Sequence, residues 1–437
     1  MVFVAALFFP ISSLAAHDNS LYRSDTTVDV DYTVEDGEGF DHINVWNQEI
    51  LYQSQLELEF SNERNSNLNR ANNRDDIGLL TEYSLVGIYR QSERFQLFGR
   101  VKLSSEIERR KPGASETETE LSLKGLYGRW RLADREVFLT VGRQEVVDDR
   151  KWVFDEDIDA ISYLKMAQDH AWQAFIGRES LWRDGFTGEH NKEKPNVYFL
   201  QYYQAFNERK QGSAYVLHVD GRGFGDDERS SYVGGQIKGR LPQDLNYWAQ
   251  GALMFGRTGS DKVSGLGFDV GITKKLHKLK SRPYFTLALA YGGGNGSDDQ
   301  AGGTFRQSGL HSNKGRFGGV ASFRYYGHVF DPELSNIVIL TAGVGIRPNR
   351  NWSVDLIYHR YNQISAASAL RDDGIRVDPN GMNRRLGSEI DLVFGLRNWR
   401  EQKITLEAVM GFFYPGEAYG ASRSSSNHFE LLLKWKF

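Results

Sequence analysis

Charged side chains recur at every second position in several stretches whose other positions are apolar. Side chains two residues apart point to the same face of a strand, so such a stretch has one charged and one apolar face. The basic members of the charged faces are Arg100, Lys102, Lys124, Arg143, Lys238, Arg240 and Lys434. The acidic members are Glu57, Glu59, Glu82, Asp355, Glu389, Asp391 and Glu407. These residues suit weak, water-screened contacts with a charged solute that binds, moves on and is released.

Two interpretations of these charges stay open. The acids and bases can pair with each other and stiffen the wall that carries them. Alternatively, opposite charges on facing walls would create a transverse field that orients a hydrated solute. The choice depends on strand register, which the sequence does not give.

Catalysis has little support in the sequence. His218 and His359 fall on predicted charged faces without an identifiable nucleophile beside them. The run DEDID at 155–159 has alternating aspartates, but Ala160 and Met166 stand where a calcium-binding EF-hand loop needs Gly and Glu. We therefore predict no enzyme activity, no catalytic residue, no metal site and no cofactor.

The C-terminal stretch indicates what kind of element carries these faces. Phe429, Leu431, Leu433, Trp435 and Phe437 share one face, the other face carries Glu430, Lys434 and Lys436, and the chain ends on the aromatic Phe437. Apolar alternation closed by an aromatic residue is typical of the last strand of an outer-membrane β-barrel. The mean hydropathy is negative and there are no cysteines, which agrees with a protein that exposes apolar side chains by alternation.

Alternation of this kind predicts an all-β fold, a transmembrane antiparallel barrel of about eighteen strands. Polar turns such as 242–244 and 348–351 are short, as expected for periplasmic turns, and extracellular loops are predicted at 107–118, 180–195, 363–386 and 413–427. Residues 318–328 resemble a strand, but a strand there would reverse the parity of all later strands. We place them within one large outer loop at 293–336. The predicted strands before the C-terminal one are 50–60, 79–90, 95–106, 119–132, 136–147, 158–166, 171–179, 196–206, 212–221, 232–241, 244–256, 265–276, 283–292, 337–347, 352–362, 390–396 and 404–412.

The N-terminus is predicted to lie outside the barrel. Residues 1–16 are an apolar run too short to span a bilayer as a helix, which indicates a signal peptide, although no Lys or Arg precedes the run. Residues 17–49 are acidic and poorly periodic, and we predict a periplasmic extension that contacts a partner. The barrel itself is assigned to 50–437.

Several separated motifs, in this order, resemble the alginate export family of outer-membrane proteins. The motifs are LTVGRQEVVDDRKWVFDEDIDAI (139–161), FRQSGLHSNKGRFGG (305–319), FDPELSN (330–336), LGSEIDLVFGL (386–396) and FFYPGEAYG (412–420). The resemblance covers residues 50–437. It implies an eighteen-stranded barrel in the outer membrane of a Gram-negative bacterium, through which an acidic polysaccharide passes a constriction lined with basic side chains. It also favours a monomer.

The chain departs from that family at several places. Where those exporters carry basic residues in the alignment, this sequence has Glu59, Glu82, Glu407 and Val409, and a tight turn at 398–402 replaces a long periplasmic plug. These departures leave the identity of the polysaccharide open.

Three functions are consistent with these features. The first is a channel that exports an exopolysaccharide, alginate or a relative, together with a periplasmic synthesis or secretion complex. The second is a passive porin for small hydrophilic solutes, and the third is an adhesin or structural barrel whose large loop fills the mouth. Expected partners are outer-membrane lipid and lipopolysaccharide and the transported solute, with no nucleic acid.

Overall fold

The structure is a computed structural model that describes most of the chain from residue 40 onward. The described ranges are 40–45, 48–92, 94–113, 115–132, 136–148, 150–180, 194–221, 228–259, 261–294, 303–399, 403–420 and 423–437. The predicted signal peptide and residues 17–39 of the predicted extension lie outside them. In the described part of the chain, no helix is long and apolar enough to cross a membrane.

The described residues form 21 strands and two 3-10 turns, the latter at Arg70–Asn72 and Glu417–Tyr419. In chain order the strands are β1 Asp41–Val45, β2 Gln48–Arg64, β3 Asp75–Ser92, β4 Phe95–Lys111, β5 Ser115–Arg131, β6 Val137–Val147, β7 Asp155–Met166, β8 His170–Arg178, β9 Asn196–Asn207, β10 Lys210–Gly221, β11 Glu228–Leu241, β12 Leu245–Thr258, β13 Asp261–Lys275, β14 Pro283–Gly292, β15 Lys314–Gly315, β16 Phe323–Arg324, β17 Ile337–Ile346, β18 Trp352–Gln363, β19 Arg385–Leu396, β20 Ile404–Pro415 and β21 Ser426–Lys436.

Eighteen of these strands close into one antiparallel barrel. Strands β2 to β14 pair in chain order, β14 pairs with β17, and the order continues to β21. The ring closes where β21 pairs with β2, for example Glu430 opposite Ser61. The predicted eighteen-stranded antiparallel barrel is confirmed. Residues 318–328 stay outside the wall, as predicted, and contribute only to the two-residue pairing of β15 with β16.

Alternation of exposure along the strands separates an outer from an inner face. Outward side chains include Leu253, Leu287, Leu340 and Leu356, each roughly half exposed, while their sequence neighbours are buried or partly buried. An outward apolar band of this kind is the surface that contacts lipid. The inward positions, including the charged ones, surround the lumen.

The two rims of the barrel differ in the length of their connections. The short-turn rim has connections such as 208–209, 242–244 and 347–351, and the long-loop rim carries 293–336, 364–384 and 416–425. Short turns lie in the periplasm and long loops outside the cell.

The loop predicted at 107–118 is corrected by the structure. Strand β4 continues to Lys111 and β5 begins at Ser115, so the connection is only 112–114. The ladder continues from Ile107 opposite Thr117 to Arg109 opposite Ser115. Polar side chains in this stretch do not end the strands, because backbone pairing can continue beyond the lipid-facing band where both faces meet water.

The first described strand, β1, pairs with the part of β2 that β21 does not reach. Strand β21 ends where Ser54 and Phe437 exchange two backbone hydrogen bonds of 3.0 and 2.9 Å. Beyond this point β1 pairs with the start of β2, from Asp41 opposite Tyr52 to Val45 opposite Gln48. Within the described residues, regular structure thus begins at Asp41, inside the segment predicted as an extension.

Candidate functional site: the lumen and its inserted loop

A long segment from the extracellular rim, residues 303–336, folds into the lumen, and we call it the inserted loop. Its tip reaches the opposite rim: the backbone N–H of Val320 donates to Ser353 Oγ at 2.8 Å, at the start of β18. Arg347, which follows β17 at that rim, donates to the carbonyl of Gly318 at 3.5 Å. The inserted loop therefore runs along nearly the full depth of the barrel.

Aromatic packing holds the inserted loop against the inner wall. Phe330 stacks on Phe413 of β20 at 5.0 Å between ring centroids and contacts Tyr361 of β18 at 4.6 Å. Phe317 near the tip stacks on Trp248 of β12 at 5.8 Å. Buried aromatic side chains contribute large apolar areas and prefer such offset or tilted contacts. The loop thus forms an apolar core with one side of the wall inside a barrel whose lumen is otherwise polar.

Glu389 of β19 fixes the backbone of the inserted loop. Its carboxylate accepts hydrogen bonds from the backbone N–H groups of Val329 at 2.7 Å and Phe330 at 3.0 Å, and from the Tyr361 hydroxyl at 3.1 Å. The Glu389 side chain is fully buried. A buried N–H group that loses its acceptor carries the cost of its desolvation, so these hydrogen bonds fix the loop backbone. This residue, predicted from its spacing to line the lumen, instead anchors the loop that covers it.

We expect Glu389→Gln to loosen this anchor. The glutamine amide offers one oxygen where the carboxylate offers two, so at least one buried N–H is left unpaired, at a cost of about 1–3 kcal/mol. The free energy of unfolding, from urea titration of the heat-modifiable folded band, should fall by that amount. Glu116→Gln is the control, because the Glu116 side chain is 66% exposed in an ion pair with Arg110. Equal midpoints for the two variants would contradict the assigned role.

Asp269 of β13 joins the inserted loop to a second extracellular connection. It accepts hydrogen bonds from Trp248 Nε1 at 2.6 Å, from the Tyr326 hydroxyl at 2.9 Å and from the Arg150 guanidinium at 3.2 Å. The guanidinium of Arg150 also lies over the rings of Trp248 and Tyr325, at 4.3 and 4.0 Å from the centroids. The Arg150 guanidinium thus combines a buried ion pair to Asp269 with two cation–π contacts.

Ion pairs also tie the inserted loop to its neighbours at the extracellular rim. Arg306 pairs with Glu228 at 3.1 Å, and Arg371 of the 364–384 loop pairs with both Glu228 and Glu333 at 2.9 Å. Loops 303–336 and 364–384 therefore share one network with the end of β11.

Four of the predicted basic residues are paired with acids on other strands of the wall. Lys434 pairs with Glu57 at 3.2 Å, and Lys102 forms an ion pair with Glu82. The other two basic residues reach acids beyond the end of the β5–β6 ladder. Arg100 lies 3.5 Å from Glu145 and 4.0 Å from Asp157, and Lys124 lies 3.9 Å from Asp157. The sequence prediction did not include Glu145, whereas Asp157 belongs to the acidic run at 155–159.

The other three predicted basic residues divide between the two faces. Lys238 and Arg240 lie on the inner face of β11, where Lys238 is opposite Trp248 in the ladder and Arg240 donates to Asn246 at 3.4 Å. Arg143 is a correction, because it lies opposite Leu126, which is 47% exposed on the outer wall. The lumen position belongs to its neighbour Gln144. Both residues are polar, so periodicity could not decide between them.

The predicted acidic residues also separate into two groups. Glu57, Glu59 and Glu82 lie on the inner faces of β2 and β3 and remain partly exposed. A second group of four is at most 9% exposed, because the inserted loop covers that part of the wall. The prediction that this second group lines an open water path is therefore wrong. Its members are Asp355, Glu389, Asp391 and Glu407.

The inserted loop brings basic residues that spacing on strands did not reveal. Lys314 and Arg316 interact electrostatically with Glu407, and Lys314 also with Glu59. The signal was present in the run NKGRF at 313–317, where two bases flank a glycine beside an aromatic.

The residues considered for catalysis or metal binding are engaged or separated. Asp155 accepts from Lys151 at 2.9 Å and from Ser312 at 2.5 Å, whereas Asp157 faces Arg100 and Lys124. His359 lies on the lumen face as predicted and contacts Thr341 at 2.9 Å and Asp391 at 3.4 Å.

His218 is a correction. It lies opposite Tyr198, which is 42% exposed on the outer face, and is hydrogen-bonded to Ser231 at 2.8 Å. Apolar residues flank His218 on both faces, with Val216 48% exposed and Leu217 fully buried, so alternation did not set its phase.

One group of donors could hold a cation, and the sequence did not suggest it. Ligand atoms of His328 in the inserted loop and of His428 and Glu430 in β21 lie within 4.8 Å of one another. His328 Nε2 already accepts the backbone N–H of Arg324 at 3.2 Å. Glu430 favours positive charge on His328, whereas Arg324 and Lys314, with smaller effects, disfavour it. The charges around the group thus give no net support for a cation there.

Burial alters the titration of several loop residues. Burial, with a smaller effect of Arg371, lowers the pKa of His311 to about 4, so this imidazole is neutral at pH 7. Burial raises the pKa of Asp331, although Arg324 opposes the shift, and raises the pKa of Asp373 to about 7. Asp373 therefore changes its charge near neutral pH at the extracellular rim.

Comparison with known proteins identifies the family of this barrel. The family model described as alginate export matches residues 50–432, which is nearly the whole barrel. The chain belongs to the alginate export family. Membership places this barrel in the outer membrane of a Gram-negative bacterium, as the resemblance implied.

Individual relatives agree with this family. The alginate production protein AlgE of Pseudomonas aeruginosa is 26% identical across 45% of this chain and 46% of its own length. AlgE of Azotobacter vinelandii is also 26% identical, across 35% of this chain and 36% of its own length. The matched part thus spans less than half the length of these curated relatives.

Solved outer-membrane porins share the fold of this family member. The crystal structure of Pseudomonas aeruginosa OccD3 (OpdP) has a TM-score of 0.55 and 12% identity, covering 91% of this chain and 93% of that one. For OccK7 (OpdD) of the same organism the TM-score is 0.54 with 13% identity, covering 88% and 99%. At such low identity the likeness concerns the fold alone.

Proposed function

We propose that this alginate export family barrel is an outer-membrane channel through which an acidic exopolysaccharide leaves the cell. The observation that carries the proposal is the family match over residues 50–432, on a closed barrel with a charged lumen. We propose no catalytic role for it. A signal peptide at 1–16, a partner-binding extension at 17–49, a monomeric state and a periplasmic synthesis complex belong to the same proposal.

The open part of the lumen wall supports passage of an anion. The side chains of Arg100, Lys102, Lys124 and Lys434 keep between 19 and 31% exposure although each is near an acid. Paired but hydrated cations can exchange one carboxylate for another at low cost, because exposed ion pairs contribute little free energy. A polyuronate could therefore move past them without being trapped.

Two of the acids that replace bases of the exporter pattern interact with the inserted loop, and this interaction agrees with the proposal. Glu59 and Glu407 stand where the relatives were expected to carry bases, and both interact with the loop residue Lys314. We infer that acids on the wall hold a basic loop in the lumen. In this arrangement the loop, with Lys314 and Arg316, supplies positive charge that the wall has lost.

Single-channel recording in planar bilayers tests the proposal. We expect oligo-uronates to block the current, and the double variant Arg100→Gln/Lys124→Gln to weaken this block several-fold, because two hydrated cations of the path are lost. Lys165→Gln is the control, since Lys165 is exposed on the outer side of β7. Indifference of the native barrel to oligo-uronates would contradict export of an acidic polymer.

One observation favours a second candidate, a passive porin for small hydrophilic solutes. The inserted loop narrows the lumen along its depth, from Gly292 at one rim to the contact between Val320 and Ser353 at the other. A narrow polar path suits small solutes better than a polymer. Swelling of liposomes in small neutral sugars, without block by oligo-uronates, would favour this candidate.

A further inference from the structure

A groove of about 740 Å³ lies on the outer wall at the extracellular rim. Strands β14, β17, β18 and β19 form its base. In the ladder, Tyr291 lies opposite Val338, Val338 opposite Asn362, and Asn362 opposite Arg385. These residues form one row on the outward face, just above the apolar band. The groove is lined by Arg360, Arg384, Arg385, Glu417, Tyr291 and Val338, with three further residues of β18 and its end.

Three guanidinium groups meet at this groove with a single carboxylate. Arg385 pairs with Glu417 at 3.1 Å, where both side chains are more than half exposed. Arg384 donates to the backbone carbonyl of Ile364 at 3.3 Å, and Arg360 has no hydrogen-bonding or ionic partner among the described residues. The groove therefore carries an excess of positive charge.

Arg360 faces the lipid side of the wall, which indicates where a compensating anion would lie. Arg360 lies opposite Leu340, which is 51% exposed to lipid, and two residues along the strand from the outward Tyr358. A charged side chain that faces the lipid border is costly unless an anion or water compensates it. An anion that compensates Arg360 would come from the lipid side of the wall rather than from the lumen.

A second group of cations stands at the same rim on another part of the outer wall. Arg229 of β11, Arg257 of β12 and Lys262 of β13 are direct neighbours in the ladder, and all three are exposed. Among the described residues, an ion pair with this row is formed by Asp220, 3.1 Å from Arg229. Like charges directly opposite each other destabilise a sheet. The presence of two groups of cations at the same height on the outer wall indicates a plane of negative charge around the barrel.

We propose that the groove at Arg360, Arg384 and Arg385 binds a phosphate of an outer-leaflet glycolipid, the lipid A part of lipopolysaccharide. The sugar-phosphate headgroup would lie against the guanidinium groups, which bind phosphate in a planar, bidentate geometry. The acyl chains would follow the outward surface of Tyr291, Val338 and Leu340. The inference does not depend on the proposed transport function, because every group in it faces away from the lumen.

Lipid retention by the purified barrel tests the proposal. Native mass spectrometry would compare the wild type with Arg360→Gln/Arg384→Gln/Arg385→Gln after addition of bisphosphorylated or dephosphorylated lipid A. We expect the triple variant to retain the bisphosphorylated lipid at least about tenfold more weakly, since it lacks all three cations that face the anionic headgroup. The dephosphorylated lipid should bind both proteins alike.

A matched control removes three positive charges from the opposite rim. Lys278, Lys280 and Arg282 are exposed in the short connection between β13 and β14, so Lys278→Gln/Lys280→Gln/Arg282→Gln should retain the lipid as the wild type does. Heat-modifiable migration on gels confirms that each variant is folded. The site would be overturned if the two triple variants retained the bisphosphorylated lipid equally. It would also be overturned if the wild type retained the dephosphorylated lipid as well as the bisphosphorylated one. Loss of oligo-uronate or inorganic phosphate binding without loss of lipid would overturn it too, by assigning the groove to soluble anions.

Discussion

Replacing residues 315–323 by two glycines should raise the single-channel conductance several-fold. This segment is the tip of the inserted loop, and it carries the contacts of Phe317 with Trp248 and of Val320 with Ser353 near the periplasmic rim. Its removal opens the lumen over the depth that the tip now occupies. The upper part of the loop, anchored by Glu389 and Asp269, stays in place.

The ends of this deletion are already close in space. Lys314 and Arg324 are register partners in the β15–β16 pairing, so their Cα atoms are about 5 Å apart and two glycines can join them. Ser322→Ala is the control, since it leaves the loop intact, and its conductance should equal that of the wild type. If the shortened loop conducts no better, the tip does not limit the current, and the constriction lies elsewhere.

The barrel wall was predictable from the sequence because lipid enforces a strict rule. Each strand must present apolar side chains outward at every second position, and this pattern survives even where the inner positions are irregular. The pairing of β21 with β2 follows from the count of strands, and residues 318–328 could be excluded from the wall by parity alone.

The covering of the lumen was not predictable, because it depends on contacts between distant segments. Spacing placed Glu389 and Asp355 on the inner face correctly, but could not show that the inserted loop buries them. An acid that lines a water path and an acid that holds a loop occupy the same inward positions in the alternation of a strand. Only the contacts of Glu389 with Val329 and Phe330 distinguish the two roles.

The errors of phase have a local cause. Arg143 was placed in the lumen although Gln144 takes that position, and His218 faces outward beside Tyr198. Both residues stand in stretches with apolar side chains on both faces, Val141 and Val216 outside and Val146 and Leu217 inside. Alternation gives the phase only where one face alone is apolar.

Asp269→Ala should be the most destabilising single substitution among those considered. It would leave the buried guanidinium of Arg150 without its counter-charge, and the Trp248 N–H and Tyr326 hydroxyl without an acceptor. Removing one partner of a buried ion pair typically costs about 3–5 kcal/mol. The expected result is a lower urea midpoint for loss of the heat-modifiable folded band.

The double variant Asp269→Ala/Arg150→Met separates the charge from the hydrogen bonds. If the uncompensated guanidinium causes most of the loss, removing it as well should recover much of the stability, because an apolar side chain can still pack between Trp248 and Tyr325. A double variant less stable than Asp269→Ala would show that the two rings need the guanidinium itself. A single variant with the wild-type midpoint would mean that the inserted loop is held by its aromatic contacts alone.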